Sequence, residues 1–358
     1  MDCLQIPSQQ SLEVKAIWQA LAEAHRYLAE LKGFCESLPN SAILLDTLSI
    51  QEAKDSSEIE NIITTHDELF AFEQSGSSSA AAKEVQNYIA ALHVGYQDVL
   101  ESGLIRLNTI LRVQEQVEHN NAGFRKVPGT VLKNQTTGAV VHAPPQDAMI
   151  IEKLMGELVE FIHAGSGQKD DLDPILRMAI AHHQFESIHP FYDGNGRTGR
   201  ILNLLMLQRE GLLDFPVLYL SRYITSTKSQ YYQLLQSTRE TGDWVNWCVY
   251  MVKGVALTAK SEVKLVKNLR DLMQATKHRL RNEVPKIYSQ ELLNNLFRHP
   301  YTKIEFLEKD LGVSRITAAK HLDTLAANGF VEKRKIGRKN FYINHPLFAL
   351  LTQIMLED

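Results

Sequence analysis

The chain has 358 residues, 44% of them hydrophobic, and a formal net charge of −4, long enough for two or three domains and without the charge excess that would announce a polyanionic partner. Its three cysteines, Cys3, Cys35 and Cys248, are odd in number and lack metal-ligand spacing, which argues against a disulfide framework or a zinc site. There is no run of about 18 apolar residues and no basic, apolar leader in MDCLQIPSQQ, so a cytoplasmic protein without a membrane span is expected.

Helical patterns broken by serine-rich punctuation fill the first hundred residues, and QSGSSSAAAKE at 74–84 reads as a loop leading into another helix. Upstream, SIQEAKDSSEIENIITTHDELF carries Ser56 and Glu60 at i and i+4, on one helix face. Taken alone, such a pair is equally a decorated, solvated surface. Residues 124–145, FRKVPGTVLKNQTTGAVVHAPP, change character. Val131 and Leu132, a polar turn from Asn134 to Gly138, then Val140 and Val141 predict a β-hairpin in an otherwise helical chain. Taken alone, these residues describe a plain surface hairpin.

The segment PILRMAIAHHQFESIHP places Ile175, Met178, Ala179 and His182 at helical spacing without β-branched alternation, so a helix is predicted. From His189, HPFYDGNGRTGR gathers a proton acceptor, a carboxylate suited to magnesium, three glycines and two arginines. Gly194 and Gly196 lack a Cβ, so the backbone can turn sharply and aim successive N–H groups at one anion. Arg197 and Arg200 add permanent charge at the start of the next helix, RILNLLMLQREGLL, whose Ile201, Leu204, Leu205 and Leu212 share a face and whose stop is expected near Gly211. Gly194, Gly196 and Gly199 also satisfy G-x-G-x-x-G, but a dinucleotide fingerprint follows a strand, and here a helix precedes it. Helix, loop and helix therefore deliver an anion to a helix N-terminus, with His189 beside it as a base near its ordinary pKa. Phe191 is expected to anchor the loop in the core, and His182 and His183 to pack rather than bind metal.

Farther on, Tyr231 and Tyr232 form an aromatic pair that suits a core as readily as a ligand. From about residue 253 a charged amphipathic helix, KGVALTAKSEVKLVKNLRDLMQATKHRL, is expected to bridge two domains. The segment IEFLEKDLGVSRITAAKHLDTLAANGFVEKRKIGRKNFYIN predicts a helix, a turn at Leu311 to Val313, a second helix capped by Ser314 and a strand pair around Gly337, an order that resembles a winged helix-turn-helix. Residues 286–345 hold 11 Lys and Arg against 6 Asp and Glu, a net of +5 on an acidic chain. Such a module either places Ser314, Arg315, Thr317 and Lys320 in a DNA major groove with KRKIGRK on phosphate, or docks protein.

The string from His189 to Arg200 matches H-x-F-x-D/E-G-N-G-R-x-x-R at every specified position, and on it the chain resembles the Fic-domain protein adenylyltransferases. The resemblance implies a mainly α fold: a Fic helical core with a β-hairpin flap, followed by a small winged helix-turn-helix domain. The divisions expected are an N-terminal helical region with an inhibitory helix at 1–95, a catalytic core at 96–252, a connecting helix at 253–285 and the winged-helix domain at 286–358. It implies ATP and Mg²⁺, with AMP passed from ATP to a Ser, Thr or Tyr hydroxyl of a target protein and pyrophosphate released. His189 is then the general base and Asp193 the Mg²⁺ ligand. Gly194, Asn195 and Gly196 form the anion hole, and Arg197 and Arg200, with Thr198 and Gly199 between them, grip the phosphates.

The same resemblance assigns three further parts. Ser56 to Asn61 is similar to the S/T-x-x-x-E-G/N motif of a subclass with an inhibitory helix on the N-terminal side, where Glu60 would pair with Arg200 and displace the γ-phosphate. Some members also use this glutamate to align a water that removes AMP. Val131, Leu132, Val140 and Val141 stand where the family carries a flap that holds the target by strand addition. Tyr231 and Tyr232 match an aromatic pair near the adenine, although Arg239 stands where relatives can have a nucleotide-contacting asparagine. Gly196 argues against relatives that transfer a phosphate, which lack it. The partners left open are an unidentified target protein, the chain itself as a substrate, a homodimer, and DNA; the alternative from another class is a DNA-binding regulator whose Fic core senses nucleotide.

Overall fold

The computed structural model describes residues 3–36, 42–71, 79–133, 137–164, 172–336 and 339–352. Residues 134–136 of the predicted hairpin turn, 74–78 of the serine-rich stretch and 337–338 of the basic wing lie outside them.

In chain order, α1 (Gln9–Leu12), α2 (Lys15–Glu36), α3 (Ala42–Ile59), α4 (His66–Ala71), α5 (Ala80–Ser102) and α6 (Leu107–Glu118) precede a two-stranded hairpin of β1 (Leu132–Lys133) and β2 (Val140–His142). Then come α7 (Ala148–His163), α8 (Pro174–Ile188), α9 (Asn195–Arg209), α10 (Leu220–Ser226), α11 (Lys228–Thr241) and α12 (Trp244–Glu283). The C-terminal module is α13 (Gln290–Arg298), β3 (Tyr301–Thr302), α14 (Ile304–Leu311), α15 (Arg315–Ala327), β4 (Glu332–Ile336), β5 (Lys339–Ile343) and α16 (His345–Thr352). No helix among the described residues is long and apolar enough to cross a membrane.

The α8–α9 pair is the centre of the molecule. Asp173 caps α8 by accepting from the Ile175 N–H at 2.8 Å, and Pro174 opens the helix where a missing N–H costs nothing. From Ile175 to Ile188 every residue of α8 is buried, and α9 is buried from Arg197 to Leu207. A helix enclosed on all sides keeps no polar stripe, so polar groups inside it must find partners. His182 bonds the Tyr231 hydroxyl at 2.8 Å, and Trp247 of α12 donates to the Ala179 carbonyl at 2.7 Å. Replacing that buried Trp by Ala would cost about 3–5 kcal/mol. Both histidines expected to pack do so, and burial pushes each down to about 3, so they are neutral core residues.

The helix expected to bridge domains is longer than its amphipathic stretch. α12 runs unbroken over 40 residues from its Asp243 cap, so residues 252 and 253 fall within it, and α2 packs along its length. Residue 95 likewise falls inside α5. Helix α3 lies between layers: α5 and α10 on the core side, α13 and α16 of the C-terminal module on the other. That module has strand order β3-β5-β4, all antiparallel, and α14 ends at Gly312 with φ +64° before Ser314 caps α15 by accepting from the Thr317 N–H. The module thus runs helix, strand, helix, helix and two strands before α16.

Candidate active site

His189 caps the C-terminal end of α8 in the left-handed conformation, φ 49° and ψ 59°, which a non-glycine residue adopts only when its surroundings fix it. Those surroundings are visible. The His189 N–H donates to the Phe185 carbonyl at 2.9 Å, and its carbonyl accepts from Arg125 Nε at 2.7 Å. Arg125 is itself buried and also donates to the Pro145 carbonyl at 2.9 Å, stapling the flap's two ends to the loop. His142 of β2 bonds the Ser187 carbonyl at 2.9 Å, fixing the hairpin beside His189. The ring departs from the expected ordinary pKa. Burial, then the cations Arg125 and Arg239, push it down to about 4, so it is a neutral acceptor, and its Nδ1 is buried with no hydrogen-bond partner among the described residues.

The loop that follows is held by its own residues. Phe191 is fully buried against Phe124 and Phe185, as expected of an anchor. Asn195 uses both ends of its side-chain amide on that anchor: Oδ1 accepts from the Phe191 N–H and Nδ2 donates to the Phe191 carbonyl, both at 2.8 Å. The Asn195 side chain thus shapes the turn, and its backbone stands at the start of α9. Gly194 precedes it at φ +76°, with its N–H on Asp193 Oδ1 at 2.8 Å. Asp193 is exposed at the mouth of the loop. One exposed carboxylate beside a phosphate cradle fits Mg²⁺, which takes one or two carboxylates and completes its shell from phosphates and water.

Both loop arginines are buried and already answered by carboxylates. Arg200 donates Nε to Ser56 Oγ at 2.8 Å, and Nη2 both to the Ser56 carbonyl at 3.0 Å and to Glu60 Oε1 at 2.9 Å. Glu60 stands one residue past α3, where the chain reverses through Asn61 at φ 63°. A Cβ on Gly196 would meet Glu60 Oε1 at 2.3 Å and Arg200 Nη1 at 2.8 Å, so the carboxylate lies directly over the loop glycine. Although burial opposes it, Arg200 and then Arg197 hold the Glu60 carboxyl below its usual range. Arg197 points to other partners, Glu84 of α5 and Glu118 of α6, the latter at 2.5 Å. Glu118 also closes over Gly194, where a Cβ would meet its Oε1 at 2.6 Å. Thr198 is buried with its hydroxyl unpartnered among the described residues, and Gly199 gives α8 room, since a Cβ there would meet Glu186 and Phe185.

The remaining predicted residues divide. Tyr231 is buried and committed to His182, whereas Tyr232 is half exposed and meets Tyr231 edge-on at 5.2 Å between centroids. Arg239 closes the end of α8 by donating to Ser187 Oγ at 2.9 Å and the Glu186 carbonyl at 3.2 Å. In the flap, Leu132 pairs with His142 and Lys133 with Val140, while Val131, Val140 and Val141 are exposed. Glu84, Glu118, Arg125 and Glu186 carry no motif in the sequence; they reach the loop from α5, α6, the segment after α6, and the turn of α8 before His189.

Family models match on this frame. The Fic/DOC family N-terminal model covers residues 18–97, the Fic/DOC family model residues 59–207, and the model described as "Protein adenylyltransferase SoFic-like, C-terminal domain" residues 272–347. The chain belongs to the Fic/DOC family. Among curated relatives of this Fic chain, the protein adenylyltransferase fic-1 of Caenorhabditis briggsae is 29% identical over 161 residues, 44% of this chain and 29% of that protein. The protein adenylyltransferase Fic of Drosophila mojavensis is 39% identical over 114 residues, 31% of this chain and 20% of that one. A probable protein adenylyltransferase of Aquifex aeolicus is 28% identical over 193 residues, 51% of this chain and 55% of that one. The Fic chain thus covers less than a third of the two animal relatives and about half of the bacterial one. Its fold is that of a Fic family protein from Desulfovibrio desulfuricans, TM-score 0.62 at 19% identity over 95% of this chain and 98% of that one. Fic-1 from C. elegans follows with TM-score 0.53 at 23% identity, over 70% and 74%.

Proposed function

We propose that this Fic protein transfers AMP from ATP to a hydroxyl of a protein and that the conformation described is its inhibited state. The observation that carries the reading is the placement of Glu60 between Gly196 and Arg200, where a terminal phosphate would otherwise be gripped. The α9 N-terminus, the glycines and two buried arginines form an anion site in a low-dielectric setting, where preorganised charge is most effective. His189, neutral and rigidly held, accepts the proton of the target hydroxyl as its oxygen bonds to the α-phosphorus; the anhydride bond to the β-phosphate breaks and pyrophosphate leaves. A nearby polyphosphate raises the basicity of that imidazole by Coulomb attraction for its protonated form. Mg²⁺, when bound through Asp193, would neutralise charge on the leaving phosphates. The exposed flap edge beside His189 suits an extended segment of the target, added as a strand.

The test is incubation with ATP labelled at the α-phosphate. Wild type should label protein weakly, Glu60→Gly strongly, and Glu60→Gly with His189→Ala not at all. Transfer of a γ-label instead would reverse the assignment.

A further inference from the structure

We infer that the C-terminal module binds duplex DNA through α15 and the β4–β5 wing. A winged helix can use its surface to dock protein or to read nucleic acid, and here the two uses fall on different elements. Docking belongs to α13 and α16: α13 packs on α3, α16 on α12 and α3, and Phe348 meets the His66 ring edge-on at 6.3 Å between centroids. Helix α15 packs against α14 and β4, and its outer positions Arg315, Ile316 and Lys320 remain in solvent. Ile316 is 83% exposed, a β-branched apolar side chain that no core claims.

Strand register places the wing. Lys333 lies opposite Tyr342 and Lys335 opposite Asn340. Lys333 Nζ and the Tyr342 hydroxyl both bond Asp323 of α15 at 2.7 Å, so this sheet face looks toward α15. Side chains alternate along a strand, hence Lys335 shares that face one step nearer the wing tip, while Arg334 sits on the opposite face. The acidic groups around them are engaged: Glu305 and Glu308 lie 3.4 and 3.7 Å from Arg315, Asp323 holds Lys333 and Tyr342, and Glu332 pairs with His345 at 2.5 Å. Lys320, Arg334 and Lys335 are exposed and have no ion pair among the described residues. A helix with an apolar tip, flanked by unpaired cations at the reach of a wing, fits the major groove of B-form DNA. Ile316 would sit on a thymine methyl, and Lys320 and Lys335 on phosphates. The deep, narrow major groove of duplex RNA does not admit such a helix.

The full chain should be titrated into a labelled DNA duplex of about 30 base pairs, followed by fluorescence polarisation between about 50 and 200 mM salt. Binding is expected to weaken linearly in log salt. Lys320→Ala with Lys335→Ala should reduce the slope by about two, and Ile316→Glu should weaken binding about tenfold or more. His189→Ala should leave the affinity unchanged, which separates this inference from the AMP-transfer reading. Ile316, Lys320 and Lys335 are solvent-exposed, and circular dichroism confirms that each variant stays folded. The inference is overturned by no binding at the lowest salt, by variants that bind as wild type does, or by an RNA duplex binding as tightly. Capture of an acidic protein by the same residues in place of DNA would also overturn it.

Discussion

Two cationic regions of this chain place their charges in opposite settings. At 194–200 both arginines are about 95% or more buried as side chains and are already matched by Glu60, Glu84 and Glu118. On α15 and the wing, Lys320, Arg334 and Lys335 stand in water with no anionic partner among the described residues. Burial explains the difference. An unpaired guanidinium in the core is costly, so the protein supplies its own carboxylates and a ligand must exchange with them. An exposed cation has no such cost, and its binding is diffuse and screened by salt. On the proposed reading, the first site would admit one small, highly charged molecule once Glu60 is displaced, and the second would hold a long polyanion.

The sharpest way to break this contrast is to remove the plug. Glu60→Gly is expected to raise α-label transfer on the order of 10²-fold, by freeing an arginine whose competitor is tethered at high effective concentration. His189→Ala in that background should lower it again by about 10²- to 10⁴-fold. Glu60→Gly also leaves Arg200 buried with less charge compensation. Because the Glu60 side chain is one-third exposed, the stability cost is discounted to about 1–3 kcal/mol, and ATP should restore it in a thermal melt. A variant as inert and as stable as wild type would mean that Glu60 is not the brake.

Salt separates the two regions next. With about four phosphate contacts at the wing, raising salt from about 50 to 200 mM should weaken duplex binding on the order of 10²-fold. ATP affinity of the Glu60→Gly variant should fall less than about tenfold, because its arginines are shielded from the ion atmosphere. Equal salt sensitivity would erase the distinction between buried and exposed cations.

Much of this contrast is legible in sequence where the chemistry is contiguous. His189 to Arg200 is one unbroken string, and Ser56 with Glu60 repeats a spacing that a helix turns into a face. The fold class follows from the same periodicities, and the short hairpin from its turn signals. What the string does not disclose is supplied from afar. Glu84 and Glu118 reach Arg197 across 113 and 79 positions, and Arg125 reaches His189 across 64. Lone charged residues on α5, α6 and the following loop look like solvated surface until the packing brings them inside. Asn195 shows a role that the string alone hides: Oδ1 and Nδ2 each bond the Phe191 backbone and so hold the turn. The His189 pKa also depends on burial and on Arg125 and Arg239, none of which its neighbours in sequence reveal.

That pKa gives a third, spectroscopic check on the buried region. A folded value of about 4 against about 6.5 in the unfolded chain means that the unfolded state binds the extra proton between those limits. Stability from this group therefore falls as pH drops from 6.5 toward 4. At pH 6 only about a hundredth of His189 should be charged in the nucleotide-free protein, against about three-quarters of a solvated ring. An NMR titration of the His189 ring with a midpoint above about 6 would reject the neutral-base assignment. Smaller, and on the same arginine pair, is the effect of Glu118→Gln. Arg197 would keep Glu84 but lose one charge-assisted bond, so the KM for ATP in the Glu60→Gly background should fall up to about tenfold with kcat little changed.

The smallest expected effect asks whether the two regions communicate. Gln51 of α3 is buried and bonded to His66 at 2.8 Å, and His66 in turn meets Phe348 of α16. Gln51 lies about two and a half helical turns before Glu60, which stands one residue past the end of α3, so a shift at this contact would move the helix that leads into Glu60. The core side resists such a shift. Glu52 accepts from the Ser221 N–H and the Tyr88 hydroxyl at 3.1 Å each, and Asp55 pairs with Arg222 at 3.0 Å. Trimming the module's side of α3 should therefore loosen Glu60 only slightly. Phe348→Ala is expected to raise basal α-label transfer by about twofold to fivefold, a coupling of about 0.4–1 kcal/mol, with no further increase when Glu60 is already Gly. An increase that persists in the Glu60→Gly background would show that the module acts on catalysis by a route other than α3.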